Sequence, residues 1–174
     1  MPLTSPIQPY DPNSPQKFAS EEARLRPIFG PALVEIHHVG STAVPQLAAK
    51  GEIDLLAVIK PDAKVGDWTR SFEELGYRRG GDLSPGHSFF KRDVAGVRTH
   101  KLHICYEGHA QIARMLRFRD HLRRHGADRM QYQELKFRLE RENNDGIQEY
   151  LAAKEPFITA ILDRLDSRGF DPER

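Results

Sequence analysis

Two acidic residues, Glu52 and Asp54, stand two positions apart at the start of a long apolar run. In a β-strand, side chains two positions apart point to the same side of the sheet, so both carboxylates would face one way. Two hard oxygen ligands this close together suit a Mg²⁺ or Mn²⁺ ion that carries a triphosphate. The alternative is a solvated strand start, but a charged pair at the mouth of a buried strand needs a partner, which a metal ion or Lys50 would provide.

A Gly-Ser turn, formed by Gly40 and Ser41, precedes the acidic pair. Where a strand ends in such a turn, backbone N–H groups lack partners and, together with the Ser hydroxyl, can hold a phosphate. Glycine lets the phosphate approach closely because it has no Cβ. We therefore predict phosphate contacts at Gly40, Ser41 and Thr42, although an isolated Gly-Ser pair more often only joins two elements.

Three basic residues are candidates for contacting a polyphosphate: Lys50, Arg119 and Lys154. Arg119 lies near the apolar side of its predicted helix, and Lys154 falls in line with apolar positions of another. A cation among core positions must extend to solvent, form an ion pair or serve a site. An ion pair with Asp120 is an equal alternative for Arg119, and we expect His38 to pack rather than to bind phosphate.

A basic stripe recurs at helical spacing in the first of the C-terminal helices. It could receive a triphosphate or an RNA, but a solvated helix face is the favoured interpretation, and the sparse aromatic residues around it do not support sequence-specific RNA binding. RNA is therefore only a weakly supported partner. The stripe consists of Arg114, Arg117, His121 and Arg124.

Periodicity and turn residues predict the elements that position these side chains. Strands should cover 32–39, 52–60, 87–94 and 97–106, the second being central and the last two forming a hairpin. Helices are expected over 14–30, 43–49 and 67–76, and the pattern is helical from 108 onward, with Pro156 kinking or restarting the last helix.

These elements indicate an α+β (α/β) fold with a mixed β-sheet, flanking helices and a C-terminal helical block. Residues 1–14 should form an extended arm, residues 15–107 the sheet core, and residues 108–174 a helical region that forms one compact unit with the core. With a net charge of +1, the chain has no overall field that would attract one class of partner. A single cysteine, Cys105, excludes an internal disulfide, and we find no signal peptide or transmembrane run, so we expect a cytoplasmic protein without a membrane partner.

The segment "HVGSTAVPQLAAK", followed by "IDLLAVI", closely resembles the GrpB family of nucleotidyltransferase-fold proteins. A hydrophobic residue with Gly-Ser, then a gap of ten residues, then two acids that alternate with apolar residues, is also similar to the signature of the polymerase-β-like nucleotidyltransferase superfamily. The segments "YDP", "KLHICYEG" and "RFRDHLRRH" extend the resemblance, which runs from Tyr10 to Leu165.

The resemblance implies a nucleotidyltransferase-like fold that takes an NTP, or another phosphate-bearing small molecule, and a divalent metal. In active members of the superfamily a third carboxylate stands on a neighbouring strand, which here should be 97–105 and contains no Asp or Glu. His103 is therefore the candidate for the third catalytic and metal-binding position, beside Asp54 and Glu52. The alternative is a half-buried polar histidine, and the missing acid counts more against catalysis than against nucleotide binding.

Two functions follow from the resemblance. One is metal-dependent transfer of a nucleotidyl group from an NTP to an unknown acceptor. The other is a non-catalytic nucleotide- or phosphate-binding domain, or an accessory, folding-assisting one, because some relatives are fused to dephospho-CoA kinase. Gln46, Gly51 and Glu52 depart from the residues common in the family, which leaves Asp54 as the central metal ligand if relatives lack the acid at position 52. The acceptor, the base preference and the oligomeric state are not predicted.

Overall fold

The computed structural model describes residues 5–168, which contain five strands and five helices. The first four residues of the predicted arm and the last six of the predicted helical region lie outside the described residues. The strands are β1 (Leu33–Val39), β2 (Ile53–Ile59), β3 (Tyr77–Ser84), β4 (His87–Val94) and β5 (Val97–Tyr106). The helices are α1 (Ser14–Phe29), α2 (Thr69–Glu74), α3 (Ala110–Arg124), α4 (Gly126–Glu142) and α5 (Ile147–Arg168), and 3₁₀ turns cover Gly30–Ala32, Ser41–Ala43 and Val65–Trp68.

One mixed sheet with the order β1-β2-β5-β4-β3 forms the centre of the fold. Strands β2 and β5 run parallel, and every other neighbouring pair is antiparallel. The predicted α+β class, the interior position of β2 and the β4–β5 hairpin are confirmed. Because β2 runs between β1 and β5, its acidic start lies between the Gly-Ser turn that follows β1 and the side chains of β5.

Two predicted features differ from the structure. Strand β3 was not predicted, since it is an edge strand that is exposed along nearly its whole length after Tyr77 and therefore has no apolar alternation. The helix predicted over 43–49 is wrong: only the 3₁₀ turn Ser41–Ala43 forms there. Pro45 has no N–H to donate and Gln46 adopts a positive φ of 66°, so a helix cannot continue.

The sheet packs its two faces against different helices. On one face, α1 and α2 contribute Leu25, Phe29 and Phe72 to the main core. On the other face, Val39, Leu56, Val58 and Cys105 contact three apolar residues of α3, namely Ile112, Met115 and Leu116. Asp54 belongs to this second face, because it lies two residues before Leu56 on the same strand.

The C-terminal helices pack onto the connection between β1 and β2. Val44 and Leu47 of this connection form a cluster with Leu122, Tyr132 and Ile161 of α3, α4 and α5. Helix α5 continues through Pro156 rather than restarting there. The packing places the side chains of α4 and α5 next to the Gly-Ser turn and the start of β2.

The described part of the N-terminal arm is attached to the same region. Gln8 forms an isolated β-bridge with Ala49, with both N···O distances at 2.9 Å. The backbone N–H of Ile7 donates to Glu140 Oε1 at 2.7 Å. No helix within residues 5–168 is long and apolar enough to cross a membrane.

Candidate functional site

The Gly-Ser turn holds its backbone directly against Asp54. Gly40 has φ 72° and ψ −174°, a conformation that essentially only glycine adopts. A Cβ at Gly40 would lie 2.4 Å from Oδ2 of Asp54. Val39 and Asp54 are partners in the antiparallel β1–β2 register. The glycine is therefore required twice, for its backbone conformation and for the room that it leaves for the carboxylate.

Thr42 and His38 brace the turn from inside. The Thr42 hydroxyl donates to the backbone carbonyl of Glu52 at 2.9 Å and accepts from His38 Nε2 at 3.0 Å. The His38 ring also stacks on Phe18, with 4.9 Å between ring centroids. Burial, followed by the charges of two arginines, lowers the pKa of His38 to about 4. The structure gives His38 the packing role that we predicted, and it directs the Thr42 hydroxyl into the interior rather than towards a phosphate.

The two carboxylates converge on one lysine of β5. Lys101 is the partner of Asp54 in the parallel β2–β5 register, and its Nζ forms an ion pair with Glu52 Oε2. Burial alone would lower the pKa of Lys101, but Asp54 and Glu52 together raise it above its ordinary value. Burial raises the pKa of Asp54 to about 6 against the opposing charge of Lys101. An ammonium group thus accompanies the acidic pair.

His103 is engaged elsewhere on β5. Its Nδ1 lies 2.9 Å from Nε2 of His87, and its ring packs 5.1 Å from that of Phe89. Burial, then the neighbouring charges of His87 and Lys101, lower the pKa of His103 to about 3. The position on β5 opposite Asp54 belongs to Lys101 rather than to His103. The structure therefore does not bring His103 to the acidic pair as a third ligand.

Four lysines gather around the turn and the acidic pair, and we call them the lysine cluster: Lys50, Lys101, Lys136 and Lys154. The Nζ atoms of Lys50 and Lys154 lie 4.7 Å and 4.3 Å from the ring centroid of Tyr150. The buried Nζ of Lys50 has no hydrogen-bond partner among the described residues. Burial lowers the pKa of Lys50, and burial followed by the charge of Lys101 lowers the pKa of Lys154 to about 8.

Lys136 of α4 is the most deeply buried member of the cluster, with 2% of its surface exposed. It donates to the Ser41 hydroxyl at 3.1 Å and to the carbonyl of Ala48, and it lies 5.1 Å from the Tyr132 ring centroid. Burial, then Lys154, lower its pKa to about 7. Lys136 was not among the residues predicted from the sequence. It stands four residues after Tyr132, and a lysine in line with apolar helix positions is the same signal that identified Lys154.

Arg119 lies apart from the lysine cluster. Its Nε donates to Asp120 at 2.8 Å and its Nη1 to the backbone carbonyl of His38 at 3.0 Å, so the structural ion pair is the alternative that forms. The side chain borders a separate cavity of about 520 Å³ that also includes Phe18 and Arg123. Three members of the basic stripe contact acids of α4 and α5: Arg114 with Glu155, Arg117 with Asp166, and His121 with Asp128.

Comparison with known proteins identifies the family. Residues 5–164 match the sequence profile described as GrpB protein. The chain belongs to the GrpB family. It is 35% identical over 159 residues to a UPF0157 protein of Halalkalibacterium halodurans, covering 91% of this chain and 80% of that protein. It is 33% identical over 150 residues to UPF0157 protein YqkA of Bacillus subtilis, covering 86% of this chain but 43% of YqkA, so it spans less than half the length of that relative.

Solved structures confirm the fold of this GrpB chain. The crystal structure of the conserved protein GrpB from Enterococcus faecalis superposes with a TM-score of 0.85 and 32% identity, covering 95% of this chain and 100% of that one. A cytoplasmic RNA terminal U-transferase superposes with a TM-score of 0.52 and 14% identity, covering 75% of this chain and 40% of that one. At this identity the likeness concerns the fold alone, which is nucleotidyltransferase-like.

The implied divalent metal does not fit the side chains of this GrpB protein. Within residues 5–168 no group of three or more His, Cys, Asp or Glu side chains is arranged to hold a metal ion. Glu52 is 5% exposed and already paired with Lys101. A Mg²⁺ ion requires oxygen ligands that are free to coordinate it, and here the ammonium group of Lys101 holds one of the two carboxylates and stands opposite the other.

Proposed function

We propose that this GrpB protein is a non-catalytic module that binds a phosphate-bearing small molecule, a nucleotide being the expected class. The observation that carries the proposal is the charge of the lysine cluster. Its four lysines lie around the Gly-Ser turn and the acidic pair, whereas the carboxylates beside them are Glu52, Asp54 and, next to Lys50 alone, Glu140. Positive charge is left over for a ligand.

Two of these lysines, Lys136 and Lys50, form no ion pair with a carboxylate of the described residues, although Glu52 and Glu140 lie near Lys50. Lys136 is bonded to a hydroxyl and a carbonyl, and Lys50 has no hydrogen bond from the described residues. Removing an ammonium group from water is costly unless a counter-charge is supplied. A phosphate next to the Gly-Ser turn would supply it, and the ring of Tyr150 holds Lys50 and Lys154 on this side of the molecule.

The proposal is tested through the free energy of unfolding with and without ligand. ATP, other NTPs and pyrophosphate should stabilise the fold, by about 2.7 kcal/mol at a concentration one hundred times the Kd, whereas the matching nucleosides should not. Lys154→Met keeps an apolar stem but removes one ammonium group, so it should weaken the effect. Arg117→Met, which removes an exposed cation paired with Asp166, is the matched control. Equal stabilisation by nucleosides, or an unchanged response of Lys154→Met, would count against the proposal.

A second candidate is metal-dependent nucleotidyl transfer to an unknown acceptor. The closeness of Asp54 to Gly40 favours it, whereas the ion pair between Lys101 and Glu52 opposes metal binding and makes it the weaker candidate. The test is transfer of label from an α-labelled NTP to RNA or to a small-molecule extract, with Mg²⁺ or Mn²⁺ present. Transfer that Asp54→Asn abolishes would support this candidate over the binding module.

A further inference from the structure

The ion pair between Lys101 and Glu52 occupies the place at which a metal ion would have to bind. In a parallel pair of strands, register partners project their side chains to the same side, so Lys101 stands beside Asp54. Its Nζ contacts the carboxylate of Glu52, which is nearly inaccessible to solvent. One ammonium group therefore serves both acids.

Within residues 5–168, no third His, Cys, Asp or Glu side chain joins Glu52 and Asp54 in an arrangement that could hold a metal ion. The Thr42 hydroxyl is used between His38 and the Glu52 carbonyl. The next side chain on this face of β5 is His103, which is bonded to His87. A divalent ion would have to displace the ammonium group of Lys101 from Glu52 and then remain next to it, which both desolvation and charge repulsion oppose.

We infer that the ammonium group of Lys101 replaces the divalent cation in this site, so that the protein binds its phosphate ligand without a metal ion. The part that concerns the ligand rests on the proposed function. The replacement of the metal by Lys101 does not rest on it, since it depends on Glu52, Asp54 and Lys101 alone. A phosphate would then contact the lysine cluster directly, and added Mg²⁺ would compete with the protein for it.

The cation is tested by Mn²⁺ titration followed by electron paramagnetic resonance. The wild-type protein should bind Mn²⁺ no better than Asp54→Asn does, which means that neither protein has a saturable site at Asp54. Lys101→Asp places a third carboxylate opposite Asp54 and should gain such a site, whereas Lys101→Met, which removes the charge without adding a ligand, should not. A wild-type site that Asp54→Asn abolishes, or a folded Lys101→Asp protein without a site, would overturn the inference.

The ligand is tested with the wild-type protein, so the result does not depend on the folding of a variant. ATP is titrated in excess EDTA and in excess Mg²⁺. Binding at least as tight in EDTA supports the inference, and binding that is lost in EDTA overturns it. If ATP binds under neither condition, the proposed function fails, while the Mn²⁺ titrations still decide whether Lys101 replaces the metal.

Discussion

Replacing Gly40 with alanine should drive a methyl group into the carboxylate of Asp54. The added Cβ would lie 2.4 Å from Oδ2, 2.8 Å from Cγ and 3.0 Å from Cβ of Asp54, all shorter than van der Waals contact. The side chain of Asp54 would have to move away from the turn, that is, towards β5. The same substitution also forces alanine into the positive-φ backbone of the turn.

The size of the effect follows from two contributions. The strained backbone conformation costs about 1–3 kcal/mol. The overlap of the new methyl group with Asp54 adds about 2 kcal/mol, within the 1–3 kcal/mol that an extra methyl group costs in a packed interior. Gly30→Ala is a matched control, because Gly30 has φ 54° and no atom lies within 4 Å of the position that the new methyl group would take. It should show the backbone contribution alone.

Denaturant unfolding gives the difference in the free energy of unfolding between the two variants, and the same measurement with ATP shows whether each variant still binds the ligand. Gly40→Ala should lose about 2 kcal/mol more than Gly30→Ala, because only its methyl group overlaps a side chain. It should also lose its response to ATP, because Asp54, which borders the lysine cluster, is displaced. Equal losses of stability in the two variants, together with an intact ATP response in Gly40→Ala, would show that the turn does not shape the site.

Two further substitutions probe buried charges. The pKa of Lys136 is about 7 in the folded state and 10.5 ordinarily, so unfolding takes up a proton at any pH between these two values. The free energy of unfolding should therefore rise with pH over this range. Lys136→Met should make this rise less steep, as measured by denaturant titrations at several pH values. Glu21→Gln should lower the free energy of unfolding by about 3–5 kcal/mol, because it leaves Arg92 buried without its carboxylate and weakens the hydrogen bond from Tyr77. Glu22→Gln is the control: it removes a surface ion pair and should change the free energy of unfolding by less than about 1 kcal/mol. A rise of stability with pH that is as steep in Lys136→Met as in the wild type, or similar losses for both glutamate variants, would contradict these assignments.

The local structure of a residue could be predicted from the sequence where it depends only on the residues of the same strand or turn. The apolar run after Asp54 predicted a buried strand, and Gly40 with Ser41 predicted the turn beside it. Family resemblance and local spacing were sufficient for these features. Edge strand β3 was missed because its side chains beyond Tyr77 face solvent and follow no apolar period.

The cations of the site depend on tertiary packing, and this is where sequence reasoning was incomplete. Alternation along a strand puts Lys101 and His103 on the same side of β5, but only the β2–β5 register shows which of the two stands opposite Asp54. Lys136 reaches Ser41 only because α4 packs on the β1–β2 connection. Arg119 lies on α3, which packs beside the site, yet its guanidinium group bonds to Asp120 and to the His38 carbonyl and does not join the lysine cluster.

The measurement that tests the central claim most directly is calorimetric titration of ATP at pH 8 in buffers of different ionisation enthalpy. A phosphate bound among the lysines should raise the pKa values of Lys154 and Lys136, which stand at about 8 and 7 in the free protein. The account predicts binding with net proton uptake, which Lys154→Met reduces. Absence of binding with and without Mg²⁺, or binding with no proton uptake and unchanged affinity in Lys154→Met, would contradict a phosphate site in the lysine cluster.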